Sequence, residues 1–172
     1  MTLALPVHSA RPNRLAEIVA ASGARPGPGS TLVVLADLSG SMEFAYPELL
    51  PRLIEDAAEI LVDTGAKVVI VPHNHDVGES ISIEDPFSIP ACVSQPMGCG
   101  TSFDPGFELA DAMNPTLIIE ISDGMGYVSA EPKTPVIWAV PADLAFLPGN
   151  LPFGDVVSID IGPNAFLSGS KA

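Results

Sequence analysis

Three short segments of the 172-residue chain carry residues that can do chemistry together. The first is Asp37-Leu38-Ser39-Gly40-Ser41, the second Gly100-Thr101-Ser102, and the third Ser122-Asp123-Gly124. Between them Asp37 and Asp123 supply carboxylates, and Ser39, Ser41 and Thr101 supply hydroxyl oxygens. An all-oxygen, partly neutral shell suits a hard divalent cation of the Mg²⁺ kind, with Mn²⁺ and Ca²⁺ as alternatives. Positions 37, 39 and 41 alternate, so they can face one side of a tight loop, and Gly40 lets that loop turn sharply.

The elements that must position these loops are legible as apolar runs. Residues 31–36 (TLVVLA), 67–71 (KVVIV), 116–121 (TLIIEI) and 135–140 (PVIWAV) are nearly continuously apolar, as buried parallel strands are. Residues 155–161 (DVVSIDI) alternate more and are expected at a sheet edge, and residues 80–83 suggest a short additional strand. Leu49, Leu50, Leu53, Ile54, Ala57, Ile60 and Leu61 recur at helical spacing within residues 47–64, with Pro47 and Pro51 suited to the first turns and Gly65 to the stop. Weaker patterns place helices over residues 14–21 and 105–113. Strand, helix, strand makes a right-handed crossover unit. The expected fold class is therefore α/β: Rossmann-like, three layers, with a mostly parallel central sheet of about six strands. In such sheets, sites form beyond the carboxyl ends of the strands, which is where the Asp37 and Asp123 loops begin.

Composition narrows the function. Hydrophobic residues make up 47% and charged residues 16%, which excludes a disordered chain. The formal charge of −14, from 21 acidic and 7 basic residues, argues against nucleic-acid binding. Cys92 and Cys99 are too few for a disulfide framework and read as free thiols. The N-terminal residues lack the pattern of a signal peptide, and no apolar run nears the roughly 20 residues of a membrane span. A cytoplasmic location, or one inside an assembled particle such as a virion, is the expectation, with no membrane partner.

The sequence DLSGSM resembles the Asp-x-Ser-x-Ser motif of von Willebrand factor A (VWA) and integrin inserted domains, and Thr101 and Asp123 stand where that family places its remaining metal residues. The resemblance implies a metal-ion-dependent adhesion site. Ser39, Ser41 and Thr101 would contact the ion directly, Asp37 and Asp123 directly or through water, and a partner's carboxylate would take the sixth position. GCGTSFDPGFE, LIIEISDGMG, PVIWAV and LPFGDVV further resemble the VWA-like domain at the C-terminus of bacterial proteins predicted to be metal-dependent peptidases, over about residues 30–161. Residues 1–29 then read as an N-terminal extension with a short helix, 30–162 as the domain and 163–172 as a tail. Ser122 stands where that family usually has Thr, and Ser102 where an acidic residue is common. The His-Glu-x-x-His of the peptidase half is absent from the chain, so peptidase activity is not carried over.

The remaining candidates surround this site. Met42, Glu43 and Phe44 after the metal loop, Asp104 and Met125 beside the other two loops, and His73 and His75 after the second strand are expected to form a partner-binding rim. Met42 and Phe44, with Tyr46, serve equally well as cover for the helix start. His73-Asn74-His75-Asp76 resembles part of a dinuclear zinc motif, but Asp76 comes one residue early and no His follows, so a polar loop is the better reading. Gly-x-Ser-x-Gly is absent, and Ser39 stands where a phosphatase would have a second Asp. The expected function is a non-enzymatic, metal-dependent protein-binding module. Its partner presents Asp or Glu; by resemblance a MoxR-type AAA+ ATPase is a candidate. The alternative is a structural component whose neighbours are the subunits of a larger assembly, such as a phage particle, with the metal site vestigial or structural.

Overall fold

The computed structural model describes residues 14–86, 100–142 and 151–160, the side chains of residues 43–48 excepted. Among the described residues six strands form one sheet: β1 (Thr31–Asp37), β2 (Lys67–His73), β3 (Ile81–Ile83), β4 (Leu117–Ile121), β5 (Val136–Pro141) and β6 (Asp155–Ile159). Their order across the sheet is β3-β2-β1-β4-β5-β6. Only β3 is antiparallel to its neighbour; the other pairs run parallel. The more alternating run, β6, lies at an edge as its pattern predicts. Among the described residues no helix is long and apolar enough to cross a membrane.

Strands β1, β2, β4 and β5 are buried on both faces, which is why their sequences read as continuous apolar runs. On one face Leu32, Val34, Val68, Ile70, Ile119 and Ile137 pack under α1 (Leu15–Ala21) and α2 (Tyr46–Thr64). On the other, Val33, Leu35, Val71, Ile118 and Trp138 pack under α3 (Asp104–Ala112) through Phe103, Phe107 and Ala110. Three layers result. Trp138 is fully buried, meets Phe103 and Phe107 edge-on, and donates its indole N–H to the Phe153 carbonyl at 2.9 Å. A buried Trp needs such a partner for its polar tip. The N-terminal helix is part of this packing: Leu15, Ile18 and Val19 belong to the same core as the sheet.

Two local features depart from the sequence reading. A 3-10 turn, Gly40–Ala45, leads directly into α2, so the helical stretch starts earlier and Pro51 stands inside the helix rather than in its first turn. There the proline removes one backbone hydrogen bond. Strand β2 also continues two residues past its apolar run, through Pro72 to His73, which pairs in register with Asp37.

The chain leaves β1 toward β2 on one side and returns to β4 on the other. The carboxyl ends of β1 and β4 are therefore the switch point of the sheet, where a crevice opens. Asp37 is the last residue of β1, and Ser122 and Asp123 directly follow β4.

Candidate metal centre

Asp37 is fully buried and Asp123 nearly so. One Asp37 oxygen, Oδ1, accepts the Ser39 backbone N–H at 2.8 Å, which folds the loop back on itself. The other, Oδ2, accepts the Ser122 hydroxyl at 2.5 Å. Ser122 Oγ in turn accepts the Gly124 N–H at 3.1 Å, and Asp123 Oδ1 accepts the Met125 N–H at 2.8 Å. The hydroxyls of Ser39 and Ser41 stand 3.2 Å apart, on one side of the loop as the alternation requires. Gly124, at φ +76°, adopts the left-handed turn that lets the chain reverse after Asp123.

Thr101 is delivered by a different route. Its carbonyl accepts the Tyr127 N–H at 3.2 Å, and the Tyr127 carbonyl accepts the Phe103 N–H at 2.9 Å. Ser102 donates its N–H to the Asn74 carbonyl at 3.0 Å. The Thr101 loop is thus stitched both to the loop after β4 and to the loop after β2. The approach is close: a Cβ at Gly126 would stand 3.0 Å from Thr101 Cβ and 2.5 Å from a Phe103 ring carbon. These contacts tie the loops that carry all five expected metal residues to one edge of the sheet.

The donor set fits a hard cation. Two buried carboxylates receive hydrogen bonds from neutral amides and a hydroxyl, and no lysine or arginine pairs with either among the described residues. Uncompensated buried charge is costly, and a divalent ion offsets it. No group of three or more His, Cys, Asp and Glu side chains among the described residues could hold a metal ion. With two carboxylates at this edge, a cation held there would draw also on serine and threonine oxygens and on water, a donor set that suits a hard ion of the Mg²⁺ type.

The expected rim is only partly a rim. Met42 is fully buried in the core on the α2 face, because the 3-10 turn rotates it inward. His73 is also buried: the extension of β2 puts its side chain on the α3 face with those of Val69 and Val71. Met125 is half exposed, and His75 and Asp76 lie on the surface. Asp104 is half-buried and accepts the Ser129 N–H at 2.7 Å, so it anchors a loop. The side chains of Glu43, Phe44 and Tyr46, and both cysteines, Cys92 and Cys99, lie outside the described residues.

A polar pair beneath the site escaped the sequence reading. His73 Nε2 meets Glu120 Oε1 at 2.9 Å, both side chains fully buried. Burial opposes a charged His73, but the charge and hydrogen bond of Glu120, with the nearby charge of Asp37, outweigh it and lift the imidazole above its ordinary value. Burial lifts the Glu120 carboxyl to about 7, in part offset by His73. His73 Nδ1 and Glu120 Oε2 have no hydrogen-bond partner among the described residues. Gly106 of α3 lies over the pair: a Cβ there would stand 3.7 Å from His73 Cγ, at ordinary contact distance. The available signal was the single glutamate in an otherwise apolar strand, TLIIEI.

A family profile described as VWA-like domain (DUF2201) matches residues 32–160, three quarters of the chain. The mostly parallel six-stranded sheet with its covering helices is consistent with it, and the chain belongs to this VWA-like family. No curated protein matches the chain.

Proposed function

We propose that the protein is a metal-ion-dependent binding module whose partner is a protein presenting an aspartate or glutamate. Asp37, Ser39, Ser41, Thr101 and Asp123 would hold one Mg²⁺-type cation, which when bound offers an open coordination position to one carboxylate. The observation that carries this reading is the pair of buried carboxylates, Asp37 and Asp123, surrounded by hydroxyls and amides and without a basic partner.

The chain's own residues do the positioning. Ser122 holds the Asp37 carboxylate in one orientation, and the Tyr127 backbone holds the Thr101 loop against the Asp123 loop. Without the cation, two carboxylates and a net charge of −14 repel an acidic partner residue. Binding should therefore switch with the ion rather than merely strengthen. A charge-assisted bond in a partly dry crevice can anchor an otherwise modest interface.

Calorimetric titration of Mg²⁺, Mn²⁺ and Ca²⁺ into the metal-free protein tests the reading. At least one ion should bind with a single site, and Ser39→Ala/Ser41→Ala should abolish that heat while the fold, followed by circular dichroism, persists. Equal binding by wild type and the double variant would place any cation elsewhere and end the proposal.

A further inference from the structure

Against the proposed cation edge lies an open hollow of about 250 Å³. Gly124, Tyr127, Leu151 and Pro152 line it, with Phe103 and Trp138 among its walls. None of the described residues that line it carries a charge, although the chain as a whole is strongly acidic. The volume is below the roughly 300–1,000 Å³ of small-molecule sites, so it suits one side chain rather than a cofactor.

The hollow shares a loop with the cation edge. Gly124 directly follows Asp123, and the space that a Cβ at Gly126 would need is already taken by Phe103 and Thr101. A Cβ at Gly124 would stand 3.1 Å from Leu151 Cδ2. One loop therefore carries Asp123, braces Thr101 and forms a wall of the hollow. Met125 and Tyr127, 50% and 65% exposed, are the large apolar side chains of that loop left to solvent. The loop then runs on to a second depression that is acidic, lined by Asp104, Glu108, Asp111 and Glu131. Asp104 and Asp111 are occupied by the backbone amides of Ser129, Lys133 and Thr134, whereas Glu108 and Glu131 are exposed.

We propose that this hollow is a specificity subsite. It takes one aliphatic or aromatic side chain of a partner segment whose adjacent Asp or Glu reaches the cation and whose following basic residue lies toward Glu108 and Glu131. The proposal rests on the cation-dependent binding proposed above. Uncharged walls select the apolar residue, and the charge of the neighbouring depression selects a base beyond it.

Short synthetic peptides test it: Gly-Gly-Asp-Leu-Lys-Gly, the same peptide with Leu replaced by Gly, one with Asp replaced by Asn, and each in the reverse order. Binding is followed by NMR with saturating Mg²⁺ and again with EDTA. In one of the two orders the Leu peptide should bind roughly tenfold more tightly than its Gly counterpart, the effect expected of burying one such side chain. Leu151→Gln, which puts an amide on the wall, should reduce that ratio to below about threefold. If Leu and Gly peptides bind alike while Asn replacement or EDTA still abolishes binding, the subsite is wrong and the cation-dependent function stands. If neither Asn replacement nor EDTA matters, or no peptide binds at millimolar concentration, the cation reading fails and the subsite fails with it.

Discussion

Two buried carboxylates, Asp56 and Asp37, sit on opposite faces of the same sheet and are treated in opposite ways. Asp56, on α2, is 2% exposed. It accepts the Arg14 Nε–H at 2.9 Å and the Leu15 backbone N–H at 2.8 Å, and it pairs with a second Arg14 nitrogen at 2.7 Å and with Arg52 at 3.4 Å. Its charge is neutralised, and an open amide at the start of α1 is capped from another helix. Asp37 is equally buried, yet among the described residues it accepts only from a neutral amide and a neutral hydroxyl. The base that feels its charge is His73, already hydrogen-bonded to Glu120. An acid matched by a guanidinium is a structural clamp. An acid left among neutral donors keeps a field that a cation can answer.

The sharpest way to break this contrast is with the ion. At a hundred times its dissociation constant, Mg²⁺ should stabilise the wild type by about 2.7 kcal/mol through mass action. Asp37→Asn keeps the acceptor for Ser39 and removes the charge. It should abolish that stabilisation and change the metal-free stability by less than about 1 kcal/mol in either direction. Thermal melts with Mg²⁺ and with EDTA measure both quantities. A metal-free loss from Asp37→Asn as large as that from truncating Asp56 would mean that the two acids do the same work.

Asp56→Ala supplies the reverse case. It removes the acceptor for the Leu15 amide and the partner of Arg14. Because the Arg14 side chain is 37% exposed and can rehydrate, the expected loss is at the low end for a buried pair, about 2 kcal/mol. Urea melts should show it, and hydrogen exchange should quicken in α1 in particular. The response to Mg²⁺ should be unchanged.

These two regions were not equally legible in the sequence. The four central strands were, because both of their faces are covered and they read as apolar runs, and the alternation of β6 marked it as an edge. Asp37 and Asp123 were, because they follow such runs at a switch point. Met42 and His73 were misplaced for a related reason: Met42 lies just before a helical pattern whose start comes earlier than the apolar spacing shows, and His73 just past a strand whose end comes later. A 3-10 turn joined to α2 carries Met42 inward, and two extra residues of β2 carry His73 under the site. Asp56 gave no signal, since an acid on a helix reads as surface until Arg14 is known to reach it across 42 positions. Glu120 is the one charged residue of TLIIEI, but its partner comes from β2, two strands away and 47 residues distant in the chain.

A smaller effect tests whether Asp37 owes its orientation to Ser122. Ser122→Ala deletes the hydroxyl that meets Oδ2. It should lower metal-free stability by about 1 kcal/mol and weaken Mg²⁺ binding several-fold, while Ser122→Thr keeps the hydroxyl and should restore both. Calorimetry on the two variants separates orientation from packing. Equal Mg²⁺ affinity in the alanine variant would show that the loop amides alone hold the carboxylate.

The smallest effect concerns the pair beneath the site. Glu120 rises from an ordinary 4.5 to about 7 in the folded protein, chiefly through burial, and His73 rises above 6.5. Both shifts make the folded state bind more protons than the unfolded chain. Stability from this pair is therefore fully present below about pH 4.5 and declines as pH rises through about 7. Asp111 acts in the other direction: amides of Lys133 and Thr134 hold its carboxyl below the ordinary value against its slight burial, so its contribution fades as pH falls. The comparison must accordingly be a difference between wild type and Glu120→Gln, in which Asp111 cancels. Urea melts in EDTA at pH 5, 6.5 and 8 should show wild type losing stability relative to the variant as pH rises. A difference that stays constant across that range would mean that Glu120 takes up no extra proton on folding, and that the polar layer under Asp37, like the Arg14–Asp56 clamp on the other face, is a matter of geometry alone.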